Sequence, residues 1–160
     1  MHEHAQGHAH AARDADLTRQ GAEATAHCLI GCAIGEIVGM AIATVFGWPN
    51  GVQIFLAILL AFLFGYALTM RPVLGAGVPF RQASGIALAS DTVSISIMEA
   101  VDNVFVLIVP GALNAGLGDA KFWWSIVAGF AIAFAPATVA NRWLIARGKG
   151  HAVVHQYHGH

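Results

Sequence analysis

The sequence has few charged residues and lacks the motifs that mark most soluble enzymes. Asp, Glu, Lys and Arg make up only 11% of its 160 residues, and the formal net charge is −1. It contains no Gly-rich phosphate loop, no nucleophile elbow and no signature of an ATP-driven pump. It also has no cluster of Lys and Arg of the kind that binds nucleic acid. We therefore expect neither an enzyme nor a nucleic-acid-binding protein.

Long apolar runs fill most of the chain instead. The hydrophobic fraction is 57% and the mean hydropathy is +0.64. A helix needs about 20 mostly apolar residues to cross a hydrocarbon core roughly 30 Å thick. Four runs are candidates for such helices: 27–46, 52–70, 83–109 and 122–143. The pattern predicts an all-α integral membrane protein, folded as a four-helix bundle.

Polar segments bound the apolar region and set its orientation. We expect a His-rich N-terminal arm (1–26), a transmembrane domain (27–146) and a His-rich C-terminal tail (147–160). The arm lacks the apolar content for a core, so we expect it to be mobile or to form a surface helix, either collecting metal ions or simply solvated. Seven of the eight Lys and Arg residues lie on the side of the termini. The positive-inside rule then predicts that both termini are cytoplasmic.

The first apolar run carries both cysteines and an acid. Cys28, Cys32 and Glu36 are spaced four apart, so they share one face of a helix. Three glycines with the same spacing lie beside this face: Gly31, Gly35 and Gly39. Such a small-residue stripe allows close helix packing, either within the chain or between copies. Because i,i+4 side chains lie farther apart than disulfide geometry prefers, we expect no disulfide between the cysteines.

The third apolar run contains three acids, Asp91, Glu99 and Asp102. A charge at the centre of a bilayer costs about 2.5 to 3.5 kcal/mol on insertion scales, so acids there line a pathway, hold a proton or bind a cation. At about 1.5 Å per residue, Glu36 and Asp91 lie roughly 13 and 12 Å from the starts of their runs. We therefore predict that these two acids face each other near the middle of the membrane.

Both runs together supply a candidate metal path. Its members are His27, Cys28, Cys32, Glu36, Asp91, Met98, Glu99 and Asp102. Thiol, thioether and imidazole groups favour copper, whereas Cys, His and carboxylate suit zinc. The first interpretation is a membrane protein that binds or transports copper, or as second choice zinc. We expect it to form a homo-oligomer, because four helices make a thin wall around a polar path, and to exchange its ion with a soluble metal chaperone.

Two other functions remain open. One is a membrane redox protein that holds haem or uses its thiols, although no Cys-x-x-Cys-His attachment motif is present. The other is a proton or cation channel in which the carboxylates act and the thiols are incidental. Buried methionines and free cysteines are also common packing residues.

The string His27-Cys28-x-x-Gly31-Cys32-x-x-Gly35-Glu36, followed by three more apolar runs, resembles a family of small bacterial multi-pass membrane proteins known only as a domain of unknown function. The resemblance covers most of residues 26–146. It implies a location in the bacterial inner membrane and singles out the His-Cys-x-x-Gly-Cys core, but it implies no activity.

Overall fold

The chain folds into four helices. The computed structural model describes the backbone of residues 2–147 and the side chains of residues 12–147. The helices are α1 (His2–Val45), α2 (Asn50–Gly75), α3 (Phe80–Ile108) and α4 (Ala120–Ala146). They run alternately up and down, so we call the end with the 46–49 turn and the 109–119 loop the loop end, and the opposite end the terminal end. The expected all-α four-helix bundle is confirmed.

Two short turns with the same Gly-x-Pro pattern connect the first three helices. Gly47 and Gly77 adopt left-handed φ values of 64° and 81°, which non-glycine residues rarely adopt. Their N–H groups donate to Thr44 O (3.2 Å) and Leu74 O (2.9 Å), which satisfies carbonyls at the ends of α1 and α2. A proline follows two residues after each glycine and precedes the next helix. At the first turn the helix limits lie within two residues of the predicted apolar runs, whereas α2 ends five residues later and α3 begins three residues earlier than predicted.

The glycine stripe of α1 packs against α2. A Cβ at Gly35 would collide with the backbone of Ala61, one at Gly31 would lie 2.6 Å from Gly65 Cα, and one at Gly39 would lie 2.7 Å from Ala57 Cα. The two antiparallel backbones are therefore in direct contact along several turns. The stripe serves packing within the chain, which decides between the two uses that the sequence allowed.

The bundle has the surface of a multi-pass membrane protein. Three helices, α1, α2 and α4, are long and apolar enough to cross a membrane. α3 is 29 residues long, and its outer face exposes Leu88, Val93, Val104 and Leu107, while its acids face inwards. An apolar exterior around a polar interior suits lipid as the surrounding solvent.

α1 begins far earlier than the first apolar run. The arm is helical, and no break in the helix marks residue 26. Its inner face packs on α4: Gly21 lies against Thr138 and Arg142, and Thr25 is fully buried. Arg142 also pairs with Asp14 at 3.2 Å. The side chains of the arm histidines before residue 12, and the tail beyond Arg147, lie outside the described residues.

Candidate functional site

α3 buries a polar stripe in the centre of the bundle. The spacing of three and four residues places its buried members on one face. They are Ser90, Asp91, Ser94, Met98, Glu99 and Asp102, each at most 4% exposed. The opposite side of this interior is formed by Cys28, Cys32 and Glu36 of α1, at most 6% exposed. Acids and sulfur atoms from both helices therefore share one interior, as predicted.

A thiol and a carboxyl group meet in the half of this interior nearer the terminal end. Cys28 Sγ donates to Asp91 Oδ1 at 3.8 Å, and Ser90 Oγ donates to the same oxygen at 2.9 Å. Thr69 of α2 also faces the Asp91 carboxyl group. Three helices thus surround one thiol–carboxyl pair.

Three carboxyl groups cluster nearer the loop end. Glu36 interacts electrostatically with both Asp102 and Glu99. Glu99 also interacts with the Cys32 thiol, and Asn103 Nδ2 approaches Glu99 Oε2 at 3.5 Å. The acids of this cluster are Glu36, Glu99 and Asp102, and we call them the acid cluster.

The acid cluster is poorly satisfied by its own surroundings. Within residues 12–147, Glu36 Oε1 and Asp102 Oδ1 have no hydrogen-bond partner, and no Lys or Arg forms an ion pair with any of the three acids. The Asp102 carboxyl group lies directly against Gly129 of α4, where a Cβ would occupy its place. Burying a carboxyl group without a partner costs free energy. Acidic groups that are buried in this way commonly bind a cation or hold a proton.

A cavity connects the acid cluster to the loop end. It has a volume of about 60 Å³ and is lined by all three acids together with Met40, Gln53 and other residues. One water needs about 10 to 15 Å³, so this space admits several waters or a partly hydrated ion. The loop that covers it is held in place, since Asn50 Nδ2 donates to Asn114 Oδ1 at 3.0 Å. The cavity therefore lies between the loop end and the buried acids.

An amide network crosses the interior at the level of the Cys28–Asp91 pair. Asn141 Nδ2 of α4 donates to Thr25 Oγ1 and to Ser94 Oγ, both at 2.9 Å. Asn141 is 1% exposed. The sequence pattern did not lead us to predict a functional position for Asn141 or Thr25. The signal was present, because Gly129, Ala133 and Ala137 precede Asn141 at intervals of four and mark the buried face of α4.

The register between α1 and α3 differs from the prediction. Glu36 was expected opposite Asp91, yet Asp91 pairs with Cys28, and Glu36 lies beside Asp102 and Glu99. The shift from residue 36 to residue 28 is eight residues, or about two turns. The prediction was wrong because it measured depth from the starts of the apolar runs. Packing between helices sets their register instead.

The remaining predicted ligands fall in two groups. Met98 is buried in the same core cluster as Cys28 and Cys32. His27 is half-buried and lies about 100° around α1 from Cys28, outside the interior stripe. Among the residues that the structure describes, no group of three or more His, Cys, Asp or Glu side chains stands close enough together to hold a metal ion.

Comparison with known proteins places the chain in a family. No curated protein and no solved structure matches it. A family model described as "Domain of unknown function (DUF4396)" matches residues 18–150, which includes all of the interior described above. The chain therefore belongs to the DUF4396 family of domains of unknown function.

Proposed function

We propose that this protein carries a divalent transition-metal ion, zinc foremost, through the interior of its bundle. The observation that carries the proposal is the acid cluster: three buried carboxyl groups without basic partners, among the described residues, lie beneath a cavity that reaches the loop end. A cation is the group that would compensate such a cluster most directly.

The donors along the path favour zinc over copper. Carboxylate oxygens come first from the cavity, and zinc accepts oxygen, nitrogen and sulfur ligands. The thiols Cys32 and Cys28 follow at greater depth, the second beside Asp91. Cu(I) prefers sulfur, and the first donors it would meet here are hard oxygens. The order expected from composition, copper before zinc, is therefore reversed in this proposal.

The path has a direction along the bundle. An ion entering at the loop end meets Glu36 and Asp102, passes Cys32, and reaches the level that the Cys28–Asp91 pair shares with the Asn141 network. Tight coordination requires the acid side chains to turn towards the ion, because no three ligands converge in their present positions within residues 12–147. With cytoplasmic termini in a bacterial inner membrane, this direction is inward. A homo-oligomer would thicken the wall around the path.

Zinc flux into proteoliposomes tests this proposal. Purified protein is reconstituted with a zinc-sensitive dye inside the vesicles. We expect Glu36→Gln and Asp102→Asn to reduce flux at least tenfold, because each removes an anionic oxygen from the path. Glu23→Gln is the matched control: Glu23 lies on the same helix but is exposed and pairs with Arg19. Equal flux in all three variants would refute the assignment.

A proton or simple cation pathway is the second candidate. It is favoured by the absence, within the described residues, of three converging metal ligands. A Cys28→Ser/Cys32→Ser double variant separates the two candidates. A metal transporter should lose zinc flux in this variant, whereas a carboxyl-based proton path should keep proton flux and lose it only in Glu36→Gln. Elemental analysis of the purified protein gives an independent check on metal.

A further inference from the structure

An apolar groove lies on the outer surface between α2 and α3, near the terminal end. It has a volume of about 700 Å³ and is lined by Tyr66, Met70, Arg71, Leu74, Phe80 and Leu88, among others. Phe80 is 69% exposed and Leu88 is 52% exposed. No residue of the acid cluster lines this groove, and the inference drawn from it does not depend on the proposed function.

Two contacts join α2 and α3 in this region. Towards the middle of the bundle, Tyr66 and Thr92 are hydrogen-bonded through their hydroxyl groups at 2.9 Å. Towards the turn, Val73 of α2 and Ala83 of α3 form a separate small core. The outer edges of the two helices leave an open groove there, which large side chains line.

The groove has a basic rim at its terminal end. Arg71 lines it, and Arg81 follows Phe80, another lining residue. Both arginines are exposed, and neither forms an ion pair within residues 12–147. The segment from residue 70 to residue 90 contains no Asp or Glu. The rim is thus positive and lacks a neutralising partner nearby in sequence.

Arg71 directly follows Met70, the last residue of the apolar run of α2. If the hydrocarbon layer ends where that run ends, Arg71 would stand at the level of the lipid phosphates. An apolar groove along the run would then fit an acyl chain, and basic residues at its headgroup end would complement a phosphate. A second copy of this chain would have to cover two uncompensated arginines with apolar surface, which is costly.

We propose that this groove binds an anionic phospholipid, with an acyl chain along α2 and α3 and the headgroup phosphate held by Arg71 and Arg81. Guanidinium groups bind phosphate through paired N–H donors. A zwitterionic lipid offers the same chain but no net negative charge, so the groove should discriminate between the two.

Native mass spectrometry of the full-length protein in detergent, with added phosphatidylglycerol or phosphatidylcholine, tests this inference. We expect the wild-type protein to retain phosphatidylglycerol preferentially. Arg71→Gln should reduce that retention at least fivefold, whereas Arg147→Gln, an equal charge change on α4 at the same end, should leave it unchanged. Equal retention of both lipids, or equal loss in both variants, would overturn the proposal.

A second variant tests the groove itself. Ala67 lines the groove and is exposed, so Ala67→Trp should fill the space without entering the core. We expect this variant to lose phosphatidylglycerol while keeping its oligomeric state and helix content. If Ala67→Trp instead dissociates an oligomer and leaves lipid retention intact, a second copy occupies the groove and the lipid assignment is wrong. Zinc flux is measured separately and distinguishes this outcome from failure of the transport proposal.

Discussion

α2 and α3 bury stripes of the same spacing but of opposite chemistry. The buried face of α2 consists of Ala57, Ala61, Gly65, Thr69 and Val73. The buried face of α3 carries three acids and two serines. Small residues on α2 bring its backbone against α1. Polar residues on α3 instead face an interior in which the described residues do not supply hydrogen-bond partners for all of the buried polar atoms. One stripe is built for packing, and the other keeps costly groups away from lipid.

Burial alone therefore does not show that a residue is needed only for packing. A packing residue should lose stability when it is changed. When a residue kept for function is replaced by an isosteric one, the protein should keep its stability and lose activity instead. Adjacent positions on α1 provide the sharpest test, because Gly35 faces α2 and Glu36 faces the interior.

The largest effect should come from Gly35→Ala. The added methyl group would collide with the backbone of Ala61, and backbones cannot move aside as flexible side chains do. We expect unfolding to become easier by about 3 kcal/mol. Thermal unfolding in detergent, followed by circular dichroism, measures this change. An unaltered melting temperature would show that α1 and α2 are not in close contact.

Asn141→Leu should have the next largest effect. It removes two buried hydrogen bonds, to Thr25 and Ser94, while nearly conserving volume. The expected cost is about 2 kcal/mol, because the buried hydroxyl groups of Thr25 and Ser94 each lose one hydrogen bond, although Thr138 still donates to Thr25. Asn114→Ala is the control, since it breaks an exposed hydrogen bond to Asn50 and should cost well under about 1 kcal/mol. Similar losses in both variants would contradict a special role for the buried network.

Glu36→Gln should act in the opposite direction. The change replaces a buried carboxyl group that has no basic partner among the described residues, so we expect stability to rise by about 1 kcal/mol. Zinc should stabilise the wild-type protein against heat but not this variant, as ligand binding to the folded state requires. A clear loss of stability in Glu36→Gln would mean that Glu36 is a packing residue after all, and would remove the contrast with Gly35.

The smallest effect should come from Gly85→Ala on α3. A Cβ at Gly85 meets no atom within 4 Å, so the change adds no clash. Alanine in a helix interior is favoured over glycine by about 0.5 to 1 kcal/mol, and the melting temperature should rise slightly. Replacing glycine by alanine is thus expected to lower the melting temperature at Gly35 and to raise it at Gly85. A lower melting temperature for both variants would indicate a general intolerance of alanine.

The sequence predicted the helices better than it predicted their mutual register. α1 ends at Val45, one residue before the expected limit, because Gly47 and Pro49 stop a helix whatever its surroundings. The arm takes the helical one of its two expected forms, but its continuity with the first apolar run was not predicted, since contacts of Gly21 and Asp14 with α4 support helix where the apolar run is absent. Which acid faces which thiol depends on packing between distant segments. Periodicity placed these groups on inner faces but could not align the helices along their axes.

The length of α1 has a mechanical consequence. At about 1.5 Å per residue its 44 residues extend about 66 Å, roughly twice the thickness of a hydrocarbon core. Just over half of this length exceeds the hydrocarbon core, and the helix is continuous from Asp14, which pairs with Arg142 of α4, to Glu36 in the interior. A protein that displaced the outer part would therefore have to move α4 with it, or break the contacts of Gly21 and Asp14 with α4, before it could shift Cys28, Cys32 and Glu36.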